Sequence, residues 1–151
     1  MIGHGVPGLN IQQSYVFPVP CEIAFAALTQ GIDHWWPRDW RQLGPTGRLT
    51  LRAEVGAAMT EASAKGDMAI WGWVDALSPP HTLHMQGHFG IEGAVAGRVE
   101  FDLTDAGDGC NFAVSHQAIG PVPEDRGGKF RATWRKTLDI SLREYLLGVA
   151  A

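Results

Sequence analysis

From Leu9 to Phe17 the residues Leu9, Ile11, Gln13, Tyr15 and Phe17 fall on one side and mostly polar residues on the other, a strand pattern. Pro18-Val19-Pro20 stops it. Cys21 to Gln30 follows with good helix formers, and Ile23, Ala24, Ala27 and Leu28 recur at helical spacing. Pro20 suits a helix start, where its missing N–H is not needed. Ile32 to Trp36 predicts a second short helical turn, ended by Pro37.

The middle of the chain reads as short strands near Arg48–Glu54, Ala57–Ala62, Asp67–Leu77, Thr82–Phe89, Ala94–Thr104 and Cys110–Ile119. Turn residues separate them, among them Gly44-Pro45, Lys65-Gly66-Asp67, Ser78-Pro79-Pro80 and the run from Asp105 to Gly109. The clearest alternation sets Val95, Gly97, Val99, Phe101 and Leu103 against Ala96, Arg98, Glu100, Asp102 and Thr104, one face for a core and one for water. After Gly120-Pro121-Val122-Pro123 the period becomes helical. Phe130, Trp134, Leu138, Leu142, Tyr145 and Leu146 then share a face up to Gly148, where the helix is expected to end. About twenty helical residues, roughly 30 Å, cross a whole sheet. One strand, two short helices, six strands and a long helix predict an α+β fold.

Composition narrows the function. The 151 residues are 45% apolar, which suits one domain, residues 1–151, with Met1 to Gly8 as a loose arm. A net charge of −4 excludes a polyanion binder working through clustered Lys and Arg, so no nucleic-acid partner is expected. The longest apolar run, Ile23 to Leu28, is far short of the ~20 residues that span a bilayer, so no membrane helix is expected. No Lys or Arg precedes Arg38 and no long apolar segment opens the chain, which predicts a cytoplasmic protein without a secretory signal. Two cysteines, Cys21 and Cys110, predict free thiols rather than a disulfide framework or a zinc site.

Four segments carry a family resemblance. They are Val19-Pro20-Cys21-Glu22-Ile23-Ala24-Phe25-Ala26-Ala27-Leu28-Thr29, then His34-Trp35-Trp36, then the stretch from Gly72 to Leu83 through Pro79-Pro80. The fourth is Val114-Ser115-His116 followed by Trp134, Leu138, Leu142, Tyr145 and Leu146. In this order they resemble the SRPBCC superfamily of helix-grip proteins (the START and birch-pollen-allergen fold), and within it the branch named for activators of the 90-kDa heat-shock protein's ATPase. The resemblance runs from about Leu9 to Leu147 and departs at Thr133, where the family carries glycine. It implies one curved antiparallel sheet of six or seven strands wrapped round the C-terminal helix, with a cavity between them.

Strand parity and helix phase nominate Trp36, Phe89, Phe101, Phe112, Phe130 and Trp134 as that cavity's wall, with His116 as its polar residue. The plainer alternative is that the rings pack on one another as core, each burying on the order of 150–250 Å². Inward-pointing His116 would anchor a ligand, with no Asp or Glu expected beside it to make an acid–base pair. His81, His84 and His88 invite a metal reading, but on one strand only His84 and His88 share a face, about 13 Å apart. No metal or cofactor is therefore expected. Asp33, His34, Arg38 and Asp39 read as helix caps and solvated pairs, and Cys21, at a helix start without an evident histidine partner, as incidental. The expected function is binding of a hydrophobic or amphipathic small molecule. A cyclase- or aromatase-like enzyme and a heat-shock co-chaperone are the alternatives the resemblance implies, and a homodimer stays open.

Overall fold

In a computed structural model, which describes residues 8–122 and 126–150, one open antiparallel sheet grips a C-terminal helix. The strands are β1 (Gly8–Phe17), β2 (Arg48–Thr50), β3 (Ala58–Ala62), β4 (Met68–Ser78), β5 (Thr82–Gln86), β6 (Ala96–Ala106) and β7 (Gly109–Ile119). Their order across the sheet is β1-β7-β6-β5-β4-β3-β2. Helices α1 (Cys21–Leu28) and α2 (Ile32–Trp35) bridge β1 to β2. The α+β helix-grip architecture expected from the chain is the one observed. Gly8 opens β1 rather than closing a loose arm, and the rest of that arm lies outside the described residues.

The alternation read in β6 holds: Val99, Phe101 and Leu103 are buried while Asp102 faces water. β7 answers it with Cys110, Phe112, Val114, His116 and Ala118 on the same buried face. Several strand ends differ from expectation. β2 stops at Thr50, and β5 stops at Gln86 because the chain turns at Gly87, where a Cβ would collide with the Trp71 carbonyl and the Gly72 Cα. α1 ends at Leu28, with Thr29 returning both its N–H and its hydroxyl to the Phe25 carbonyl.

The C-terminal helix does not end at Gly148. It runs as α3 (Arg126–Arg135), a π-helical segment (Lys136–Leu142) and α4 (Arg143–Ala150). Its buried stripe is Phe130, Trp134, Leu138, Leu142 and Leu146, a strict spacing of four. In an α-helix each step of four overshoots a full turn by roughly 40°, so the stripe would drift about 160° round the helix. The wider turn of the π segment, with its i→i+5 bonds, falls short of a full turn at the same spacing and takes that drift back. All five side chains thereby stay on the sheet.

Trp134 is the largest of them and is 0% exposed. Trp134→Ala is expected to cost roughly 3–5 kcal/mol in denaturant melts. A change under about 1 kcal/mol would mean that the helix grips through another residue.

Candidate functional site

The space between sheet and helix is filled by rings. Trp36, just past α2, stacks on Trp40 with centroids 4.7 Å apart and meets Trp71 and Trp134 edge-on at 5.4 and 5.9 Å. Trp134 also meets Trp40 at 5.0 Å and Phe101 at 5.9 Å. Phe89 touches Trp71, Trp134 and His116, and Phe130 stands edge-on to His116 at 5.6 Å. Phe112 joins through Phe101 at 5.7 Å. The seven residues nominated from the sequence are thus all buried and form one connected cluster. Its rings lie in contact with one another, as the plainer alternative had it.

Two members were not nominated. Trp71 and Trp73 are two residues apart on β4, yet Trp71 is 0% and Trp73 47% exposed. The register jumps from Thr60↔Ile70 to Met59↔Gly72, leaving Trp71 as the extra residue of a β-bulge that turns its ring inward. Strict parity cannot show this. Trp40 lies in the loop after α2, which periodicity leaves unread. That loop is held by Glu61, an inward carboxylate on β3 that accepts from Gln42 N–H (2.8 Å), Leu43 N–H (2.7 Å) and Trp71 Nε1–H (3.1 Å). Glu61 shares parity with buried Met59, a signal present in the sequence.

Phe89 is not on a strand. It sits in the turn after β5 with φ of 49°, a backbone region bulky residues rarely occupy, and its ring is 0% exposed. Burial of that ring among Trp36, Trp71 and Trp134 holds the turn in place.

His116 lies opposite Ile11 of β1 and Val99 of β6 and is 0% exposed. Its Nδ1 accepts from Trp134 Nε1–H at 3.0 Å. An indole nitrogen can only donate, so the neutral imidazole carries its proton on Nε2. That Nε2–H is buried and has no hydrogen-bond partner among the described residues. Burial pushes the pKa of His116 down to about 4, so the ring is neutral at pH 7.

The polar groups near the tryptophan turn serve the fold. Arg41 is buried and donates to Asp33 Oδ1 at 2.6 Å and to the carbonyls of Gly47 and Trp36. Burial would raise the Asp33 carboxyl, but the Leu49 N–H and Arg41 outweigh it and hold it below the ordinary range. Asp39 pairs with Lys136 at 2.7 Å, tying the loop to the π segment, and His34 stacks on Tyr145. The three-histidine run disperses. His84 faces Asp102 (3.0 Å) and Glu100 (3.5 Å) on the outer sheet face, whereas His88 leaves the strand and accepts from Gly90 N–H at 3.0 Å. Glu100 is also taken by Arg98 at 2.7 Å. No helix among the described residues is long and apolar enough to cross a membrane.

The sequence profile of the family described as activator of Hsp90 ATPase homolog 1-like protein matches residues 18–146. The chain belongs to that family. No curated protein matches it by sequence. Among solved structures it is similar to protein MLL2253 from Mesorhizobium loti, with TM-score 0.70 and 19% identity over 94% of this chain and 98% of that one. It is also similar to CV1439 from Chromobacterium violaceum, with TM-score 0.68 and 17% identity over 91% and 96%. DynU16, described as a putative protein in the dynemicin biosynthetic locus, shares the fold at TM-score 0.65 and 21% identity, over 91% of this chain and 46% of that one. At these identities the likeness is one of fold. The family match places this chain in the SRPBCC superfamily, and the likeness to these structures shows the helix-grip fold.

His116 makes the stability of this family member depend on pH. The unfolded ring takes a proton below ~6.5, whereas the folded ring resists it down to about 4. Stability from this group is therefore complete above pH ~6.5 and is lost as pH falls towards 4, by on the order of 3 kcal/mol. Denaturant midpoints of wild type and His116→Leu, compared between pH 7 and 4, are expected to show that loss only in wild type. Parallel profiles would place the imidazole in contact with water.

Proposed function

We propose that this protein binds an amphipathic small molecule with a flat apolar body between the sheet and the C-terminal helix, its oxygen-bearing end accepting the Nε2–H of His116. The observation that carries this reading is that buried, unpartnered donor. Leaving a donor orphaned costs about 1–3 kcal/mol, which a carbonyl or hydroxyl oxygen of a ligand would recover. The surrounding rings supply faces for an apolar body.

Admission of a ligand needs the rings to part. A surface recess of about 280 Å³, lined by Trp40, Trp71, Gly90 and Glu92 among others, leads to the cluster's outer side. Trp40 is its half-buried member and hangs on a loop rather than on the sheet, so it is the ring that swings least expensively. The π segment supports the same reading, because such segments concentrate at functional sites. So does the relative described by its place in a biosynthetic locus. A neutral N–H donor would also polarise a bound carbonyl, which keeps a cyclase-like reaction as the second reading of this site.

Fluorenone and fluorene, alike except for one carbonyl, test the anchor by quenching of tryptophan fluorescence. Wild type is expected to prefer fluorenone by roughly five- to 150-fold, and His116→Leu to bind both alike. Equal binding by wild type, or a preference that survives His116→Leu, would overturn the reading.

The family description also names a chaperone ATPase. Added to Hsp90 at concentrations that saturate with fluorenone, the protein is expected to leave ATP turnover unchanged. A saturable stimulation would move the function to the outer surface.

A further inference from the structure

A second cluster lies at the far end of β7, six residues and roughly 20 Å along the strand from His116. Cys21 starts α1, His81 sits in the turn before β5, Asp105 ends the inward row of β6 beyond Leu103, and Cys110, the second residue of β7, lies opposite Asp105. The sulfur of Cys21, a ring nitrogen of His81 and a carboxylate oxygen of Asp105 all lie within 4.8 Å of one another. The Cys21 thiol is buried, with the Cys110 thiol and the Asp105 carboxylate as its polar neighbours. Two cysteines 89 positions apart, the complete thiol inventory of the chain, meet at this point. None of these residues touches the ring cluster's histidine.

The geometry points to a binding site for a borderline divalent transition metal such as zinc, held by Cys21 Sγ, His81 and Asp105. Sulfur, imidazole and carboxylate from three separate elements are the donor set zinc takes, and a hard cation such as Mg²⁺ would not select a thiolate. Tetrahedral zinc, with bonds of about 2.0–2.3 Å, needs its ligand atoms roughly 3.3–3.8 Å apart. With its ligand atoms within 4.8 Å of one another, the present cluster is wider by up to roughly 1.5 Å at its longest side. His81 and Asp105 can close that gap, since their side chains are 47% and 73% exposed and joined by a loose 3.9 Å contact. Their exposure also opens the path for the ion, while Cys21 waits beneath as the fixed ligand. On binding, the Cys21 S–H bond breaks, its proton passes to water and the sulfur lone pair enters the metal's coordination sphere. Water completes the fourth position.

The site differs in kind from the His84–Glu100–Asp102 group on the outer sheet face. That group has no sulfur, and one of its carboxylates is already bound by Arg98.

Cobalt(II) is the probe, titrated into reduced, metal-stripped protein and then displaced with zinc. One Co²⁺ per chain is expected, with a near-ultraviolet sulfur-to-cobalt charge-transfer band that zinc bleaches. Cys21→Ala is expected to abolish that band, and His81→Ala and Asp105→Asn each to weaken binding at least about tenfold. His84→Ala should leave binding unchanged. His81 and Asp105 are exposed, so their variants fold whether or not Cys21→Ala does. Absence of the charge-transfer band at millimolar cobalt, its persistence in Cys21→Ala, or full affinity in both His81→Ala and Asp105→Asn would overturn the assignment.

Discussion

One hydrogen bond organises the interior: Trp134 on the C-terminal helix gives its indole N–H to His116 on the sheet. In a low-dielectric core such a bond is specific in direction, because the indole has nothing to accept with. It sets the rotation of the helix against β7 and, through Trp134, the places of Trp36, Trp40, Phe89 and Phe101. It also decides the histidine's tautomer. The helix holds this geometry because its π segment keeps a four-residue stripe aimed at the sheet. Packing, hydrogen bonding and proton position here are a single arrangement.

The proposed binding function follows from what that arrangement leaves over. A neutral, buried imidazole with one committed acceptor and one idle donor is a poor acid–base catalyst near neutrality, since its proton affinity has been lowered by burial. It is well suited to recognising an oxygen on an otherwise apolar molecule. The rings around it are mutually packed, so affinity for a ligand is reduced by the free energy of parting them. Glu61 and Arg41 bear on this indirectly. By fixing the loop that carries Trp40 through backbone N–H and carbonyl groups, they set how readily that ring moves.

The end of the sheet at the β6–β7 turn follows another logic. There, thiol, imidazole and carboxylate groups converge on the start of α1, at the boundary between core and water. The interior site offers apolar faces and a single donor, whereas this one offers electron pairs. The two lie far enough apart along β7 to be altered independently.

Much of this was legible in the chain. The alternation of Val99, Phe101 and Leu103, the spacing of Phe130 through Leu146 and the order of elements determined the sheet, its buried face and the helix that covers it. Each follows from local periodicity meeting one burial constraint. Inward parity likewise places His116 on the buried face of β7. What local pattern could not carry was decided by long-range packing. The bulge that turns Trp71 inward exists only in the pairing of β4 with β3, and Phe89 enters the core from a turn because three rings receive it. Trp40 is positioned by a carboxylate that binds Gln42 and Leu43 from nineteen and eighteen residues further along the chain. The idle Nε2–H of His116 depends on Trp134, eighteen residues further on. Cys21 gained a histidine and a carboxylate from two other elements, which spacing in sequence does not reveal. Periodicity reports which face of an element is buried, and only the assembled structure decides which groups meet there.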